Sequence, residues 1–213
     1  MTYSITDLEA SQTASSQGID NTATDAAIIA NLQTTAALAD ELTNQIGPFT
    51  IESGYRSPAL NAAVGGASES AHSEGKAIDF YPTTMSLLAY FQALTNRPDL
   101  AALMGEIYIK PSQGTMHVTT PLPELEKVGY YGILDPSTKV YRKLTSDELA
   151  SFQAGVMPDF GGQAFAAATT PSDDSESDLS DSTSGISTTA MVAIAAAALI
   201  FFTLMVMKSR KVA

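Results

Sequence analysis

The sequence predicts an α+β domain, built from a small and mostly antiparallel sheet with flanking helices, that is followed by a C-terminal transmembrane helix. Three observations lead to this prediction. Helical and strand-like apolar periods alternate over residues 21–165, a polar acidic stretch follows, and an uncharged apolar stretch comes last. The length of 213 residues is enough for one medium domain with appendages.

The first part of the chain predicts little order before a long helix. Residues 1–20 are rich in Ser and Thr, and they lack the basic start and apolar core of a secretory signal, so we expect a loose segment. From about Asn21, apolar residues recur every three to four positions until Gly47-Pro48 ends the pattern. This spacing predicts an amphipathic helix.

The remaining elements of the domain, which we expect to span residues 21–165, are short. Apolar and β-branched runs between turn sequences predict strands at 49–53, 77–81, 106–110 and 115–120, and a hairpin at 129–141. Caps and periodicity predict helices at 57–64, 85–94 and 147–154. Ser57 caps the first of these with Pro58 at its first position, and Thr145 opens a capping box before the last.

The end of the chain predicts a tethered membrane anchor. Residues 166–189 are Ala, Ser, Thr and Asp with almost no large apolar side chain, which is typical of a disordered linker. Residues 190–207 carry no charge and are long enough to cross the hydrocarbon layer of a bilayer. The basic tail at 208–213 favours a cytoplasmic C-terminus, whereas the absence of an export signal favours a cytoplasmic N-terminal domain, so the topology stays open.

Charge and composition exclude several function classes. The chain has 11 Lys and Arg against 23 Asp and Glu, a net charge of −12, so we expect no nucleic-acid binding by the main domain. It has no Cys, which excludes disulfides, thiolate metal sites and Cys nucleophiles. Any metal must therefore be bound by His, Asp or Glu.

The two histidines, His72 and His117, are the candidate metal ligands. Asp79 begins an apolar strand shortly after His72, and His117 lies within another strand. Two His and one carboxylate can form a three-ligand zinc site with an open fourth position, as catalytic sites do. Spacing alone leaves the alternative open that each His is a hydrogen-bonded core residue.

The residues around these histidines resemble a known family. Residues 51–82 read IESGYRSPALNAAVGGASESAHSEGKAIDFYP, and residues 104–121 read MGEIYIKPSQGTMHVTTP. Both stretches resemble the zinc D-Ala-D-Ala metallopeptidases of the VanX/hedgehog-like fold and are most similar to the murein D,D-endopeptidase branch. The resemblance implies zinc as cofactor with His72, Asp79 and His117 as ligands. It also implies that Arg56 faces the cleft, where it acts on substrate carboxylate or carbonyl groups, and that Ser70 shapes the loop or touches substrate.

The general base is where the sequence departs from this resemblance. Many members of the family have an acid three residues before the last zinc His, where this chain has Gly114, and the endopeptidase branch often has an Asp where this chain has Thr119. We favour Glu106 as the base, because it begins the strand that we expect to pair with the His117 strand and shares a face with Tyr108 and Lys110. Glu74 is the second choice.

The resemblance implies a membrane-tethered zinc peptidase that hydrolyses D-amino-acid-containing bonds in peptidoglycan stem peptides or cross-links. The partners are then a peptidoglycan peptide and, through residues 190–207, a lipid bilayer of a bacterial envelope or of a bacteriophage virion. The alternative is an inactive zinc-containing module that binds cell wall or protein, since the usual acid is missing. The sequence leaves endopeptidase against carboxypeptidase action and the oligomeric state open.

Overall fold

The protein has an α+β fold in which helices pack against one face of a six-stranded sheet. The computed structural model describes residues 3–122, 127–135, 138 and 140–160. The predicted fold class and the mostly antiparallel sheet are confirmed for this part of the chain. Within these residues no helix has the length and apolar character needed to cross a membrane. The predicted linker, transmembrane helix and basic tail (166–189, 190–207 and 208–213) lie outside the described residues.

The helices and strands follow one another in mixed order along the chain. The helices are α1 (Ile5–Glu9), α2 (Gln12–Gln17), α3 (Ala26–Gln45), α4 (Pro58–Ala63), α5 (Leu87–Thr95), α6 (Pro98–Ala101) and α7 (Ser146–Gln153). The strands are β1 (Phe49–Ser53), β2 (Ala77–Pro82), β3 (Glu106–Lys110), β4 (Thr115–Thr119), β5 (Tyr130–Leu134) and β6 (Tyr141–Lys143). The predicted strands and the hairpin of β5 and β6 are thereby confirmed.

The strand order in the sheet is β1-β2-β4-β3-β5-β6. All neighbours are antiparallel except β3 and β5, which run parallel. Strand β5 follows β4 in the chain but pairs with β3, on the side of β3 that is away from β4. It runs parallel to β3 there. Strands β2, β4 and β3 are therefore central, with a neighbour on each side.

The two faces of the central strands have different roles. On β2, Ile78 and Phe80 are fully buried in the hydrophobic core, so the side chain of Asp79 between them projects from the opposite face. The core side chains of β3 and β4 alternate in the same way: Ile107, Ile109, Met116 and Val118. One face thus packs against the helices, while the other carries the polar residues of the same strands.

The core fills the space between this sheet face and the helices. Its helical members come from five of the helices: Leu8, Leu32, Ala36, Leu38, Ala39, Leu42, Leu87, Tyr90, Phe91, Leu94, Leu100, Ala101 and Phe152. Helix α7 is attached through Phe152, whose ring meets Phe91 edge-on at a centroid distance of 4.8 Å. Such contacts hold the sheet rigid behind its polar face.

The N-terminal segment is ordered, and the prediction of a loose segment over residues 1–20 is wrong for residues 3–20. Ser4 and Asp7 form a capping box that starts α1, and Ser11 caps α2. Leu8 is fully buried, and its carbonyl accepts a hydrogen bond from Tyr55 N at 2.7 Å. Ser4 and Ser11 act as helix caps here, and Leu8 attaches the segment to the core together with Tyr3 and Ile5.

The long helix starts later than predicted, at Ala26 instead of about Asn21. Asp25 is its N-cap and accepts hydrogen bonds from the next two free backbone N–H groups. Asn21 lies before the helix, and its side chain donates to the carbonyls of Glu9 and Tyr55. Those bonds connect the segment before α3 to the loop after β1.

Local capping signals elsewhere are confirmed. Ser57 caps α4 with Pro58 at its first position, and Thr145 forms a capping box with Glu148 at the start of α7. The predicted helix at 85–94 runs from Leu87 with Ser86 as its cap. The short helix α6 was not predicted, because four residues are too few for a periodic signal.

Leu8→Ala should lower the free energy of unfolding by about 2 to 5 kcal/mol, because it leaves a cavity beneath α1. Urea unfolding of the full chain measures this change. Leu103→Ala is the matched control, since Leu103 is 47% exposed, and we expect a change within about 0.5 kcal/mol. Equal values for the two variants would mean that α1 is not docked in solution.

Candidate metal centre and cleft

The register of β2 and β4 places Asp79 directly opposite His117. Both side chains project from the polar face, and His117 Nδ1 lies 2.8 Å from Asp79 Oδ1. Asp79 is 5% exposed, although it belongs to the face away from the core. Ladder pairing on the central strands therefore brings together two residues that are distant in sequence.

His72 reaches the same carboxylate from the loop between α4 and β2. The backbone carbonyl of His72 accepts a hydrogen bond from Arg56 N at 3.2 Å, which anchors this loop to the segment after β1. Its ring Nδ1 lies 2.7 Å from the carbonyl of Gly54, so Nδ1 carries the proton and donates it there. The other nitrogen, Nε2, faces Asp79 Oδ2 at 3.4 Å.

These three side chains form a group that fits a divalent metal ion. One ligand atom from each of His72, Asp79 and His117 lies within 4.8 Å of the others. Burial lowers the pKa of His72, which keeps its ring neutral at pH 7. Burial alone would raise the pKa of Asp79, but its interactions with His117 and His72 outweigh burial and hold that pKa well below its usual value. Neutral imidazoles and an ionised carboxylate are the donors that zinc takes in three-ligand catalytic sites.

Two cationic side chains also contact Asp79. Arg56 Nη2 lies 3.3 Å from Asp79 Oδ2, while its Nε donates to Ser53 Oγ at 2.9 Å. Lys110 Nζ lies 2.9 Å from Asp79 Oδ1. Arg56 lines the cleft, and Lys110 is an additional contact for which the sequence predicted a face but no role.

Glu106, the favoured base, lies in the same cleft. Its Oε2 is 3.9 Å from His117 Nε2, on the side of the ring away from Asp79. Tyr108 donates a hydrogen bond to Glu106 Oε1 at 3.2 Å, and Lys127 pairs with the same oxygen. Burial and the nearby Glu106 charge raise the pKa of Tyr108, which keeps its hydroxyl protonated as a donor. The predicted common face of Glu106, Tyr108 and Lys110 is thus present.

Gly114 and Thr119, where the sequence departs from the family pattern, have structural roles here. Gly114 ends the tight turn between β3 and β4 with φ +71°, a left-handed conformation that an acidic residue adopts poorly. Thr119 is buried, and its hydroxyl accepts a hydrogen bond from Glu106 N at 2.9 Å. Glu74, the second choice for the base, is exposed and pairs with Lys76 at 2.8 Å. It does not line the cleft.

An open cleft of about 1040 Å³ is lined by the three candidate ligands together with Arg56, Lys110 and Glu106. One wall is the loop at 64–72, in which Ser70 lines the cleft and accepts a backbone hydrogen bond from Ser73 N. Gln113, Lys127 and Tyr141 also line the cleft. The sequence reasoning missed Lys127 and Tyr141, because no spacing rule connects them to the motif residues.

The metal-free protein should lose stability as the pH falls below about 6.5, the ordinary pKa of histidine. His72 has a lowered pKa only when folded, so the unfolded chain binds the proton more tightly. Its contribution is complete above pH 6.5 and declines toward its folded pKa, by at most about 1.4 kcal/mol per pH unit. Urea unfolding with a chelator from pH 8 to 5.5 measures the slope. His72→Gln should flatten it, and an unchanged slope would contradict the assignment.

The comparison with known families agrees with this geometry. A family model described as Peptidase M15 matches residues 1–106, which contain Arg56, His72 and Asp79 and end at Glu106. His117 follows the matched segment, on the strand paired with that of Asp79. No curated protein matches the chain. The chain therefore belongs to the peptidase M15 family, a family of zinc-dependent D-Ala-D-Ala peptidases.

Proposed function

We propose that this M15 metallopeptidase hydrolyses D-amino-acid-containing peptide bonds in peptidoglycan stem peptides or cross-links. The observation that carries the proposal is that His72, Asp79 and His117 lie in one open cleft with a second acid, Glu106. A closed structural site would need a fourth ligand and no access for substrate. The cleft instead leaves the three-ligand group open on the polar face of the sheet.

In the proposed reaction, the ligands, Glu106 and Arg56 have different roles. A zinc ion bound by the three ligands would supply a Lewis acid for the scissile carbonyl and the attacking water. Glu106 would accept the proton of that water and pass it to the leaving amine. Arg56 keeps its charge at all relevant pH values, and its guanidinium can stabilise the developing oxyanion or bind a substrate carboxylate.

The shape of the cleft supports a peptide substrate. Its volume of about 1040 Å³ and its open form leave room for a peptide beside the metal group. Its walls offer both cations and exposed carboxylates, including Glu52 and Glu69. Such walls suit a zwitterionic, partly amidated peptide better than an apolar ligand.

An inactive binding module is the second candidate, and one observation favours it. Lys127 and Tyr108 both contact Glu106 Oε1, so within the described part of the chain only Oε2 of this carboxylate remains without such a partner to accept a proton. A module of this kind would retain metal and peptide binding while lacking turnover. The experiment below separates the two candidates.

The full chain, solubilised in a non-ionic detergent and loaded with zinc, should release new muropeptides from purified cross-linked peptidoglycan. Glu106→Gln should reduce the rate about 10²- to 10⁴-fold, because it removes the proton carrier. It should leave zinc content unchanged, since Glu106 is not among the three ligands. Mass spectrometry of the products identifies the bond and distinguishes loss of a terminal residue from cleavage of a cross-link.

Two further variants control this experiment. His117→Ala should abolish both metal content and cleavage, whereas Glu74→Gln, an acid outside the cleft, should retain the rate of the original chain. Bound zinc with no cleavage would reject the enzyme and favour the binding module. Full activity of Glu106→Gln would remove Glu106 as the base and leave the metal centre in place.

We also propose that residues 190–207 tether the domain to a bilayer, in a bacterial envelope or in the virion membrane of a bacteriophage. These residues are uncharged, and Lys208, Arg210 and Lys211 follow them at once. A tether would confine hydrolysis to cell wall near the membrane.

Deletion of residues 190–213 should move the protein from the membrane pellet to the supernatant after an alkaline carbonate wash of bacterial cells that express it. The full chain should stay in the pellet because about 18 apolar residues span the hydrocarbon layer. Equal release of both forms would contradict the tether.

A further inference from the structure

Lys110 is a buried lysine that contacts a metal-ligand side chain. It ends β3 on the polar face of the sheet, and its side chain is 6% exposed. Lysine is almost never buried at this level unless its ammonium is paired. The partner here is Asp79, whose Oδ1 lies 2.9 Å from Lys110 Nζ.

The Asp79 carboxylate is already compensated before any metal binds. Its Oδ1 accepts contacts from Lys110 and His117, and its Oδ2 is 3.3 Å from the guanidinium of Arg56. A buried carboxylate without such partners would be strongly destabilising. The negative charge of Asp79 is therefore paired within the protein even when no metal ion is bound.

The same cations oppose the arrival of a metal ion. Among the described residues of the cleft, Arg56 and Lys110 both pair with Asp79, and Lys127 pairs with Glu106. A divalent cation that binds Asp79 comes within a few ångströms of the Lys110 ammonium, where like charges repel strongly in a partly buried site. The ammonium has little room to withdraw, because its side chain is packed into the site.

We propose that Lys110 is a positioning residue that acts as the internal counter-ion of Asp79 and competes with the metal ion for it. The pairing stabilises the metal-free fold and weakens the affinity for zinc. This inference rests on the metal-dependent function proposed above. It makes the fold independent of the metal, in contrast to small domains that fold only when zinc binds.

The sign of the effect distinguishes this role from a merely structural one. If Lys110 competes with the metal, its removal lowers the stability of the metal-free protein and raises zinc affinity. If Lys110 only holds Asp79 in place for the metal, its removal lowers both. Both roles predict lower stability of the metal-free protein, but they predict opposite changes in zinc affinity.

The test compares the full chain with Lys110→Met, which keeps a similar length and loses the charge. Zinc affinity is measured at pH 7.5 by competition with a chromophoric chelator, and thermal unfolding is measured with excess chelator. We expect Lys110→Met to bind zinc at least about tenfold more tightly and to unfold at least ~3 °C lower without metal. Lys143→Met is the matched control, since Lys143 lies on the ring of Tyr130 away from Asp79, and it should leave the affinity unchanged.

Two more variants keep the test decisive. Lys110→Arg retains the charge and should keep the affinity of the original chain within about threefold, and Lys110→Gln repeats the charge removal with a polar side chain should the Met variant not fold. Equal or weaker zinc binding by the neutral variants overturns the inference. Absence of zinc binding in every variant overturns the metal-dependent function as well. Tighter binding without peptide cleavage supports the role of Lys110 and rejects only the enzyme.

Discussion

Compensation of the buried Asp79 carboxylate is the constraint on which the arrangement of the cleft depends. Four side chains from four segments of the chain approach it: Arg56, His72, Lys110 and His117. A carboxylate at 5% exposure requires such partners, because its desolvation is not otherwise offset. The loop after β1, the loop before β2 and two central strands are thereby joined at one point, and the same joining creates the metal-binding group.

Alternation along the strands places the core side chains on one face of the sheet and the side chains of the site on the other. Ile78 and Phe80 secure β2 to the core, while Asp79 between them faces the cleft. A slip of one residue would exchange the two sets, burying polar groups among helices and exposing the core. The apolar face therefore fixes the register, and the register fixes the pairing of Asp79 with His117.

The departures from the family pattern are connected with one another. Gly114 closes the turn before His117 with φ +71°, which L side chains rarely adopt, and the Thr119 hydroxyl accepts a hydrogen bond from Glu106 N. Besides Asp79, the acid that we propose as the base lies on the neighbouring strand β3. Although the chain as a whole is strongly acidic, the cleft gathers cations around the carboxylates of Asp79 and Glu106. Metal affinity and proton transfer in the proposed enzyme would both depend on that local balance.

The sequence by itself determined the strands, most helix caps and the three candidate ligands, because each has a local signal: alternation, capping residues, or a motif of His and Asp at family spacing. It also predicted the common face of Glu106, Tyr108 and Lys110 from the period of a strand. Only the tertiary structure decided that the N-terminal segment is ordered, since Tyr3, Ile5 and Leu8 pack against a core built from distant segments. The contacts of Lys110 with Asp79 and of Lys127 with Glu106 likewise became apparent only from the tertiary structure. Those contacts depend on strand pairing and loop closure between distant segments, which local periodicity does not encode.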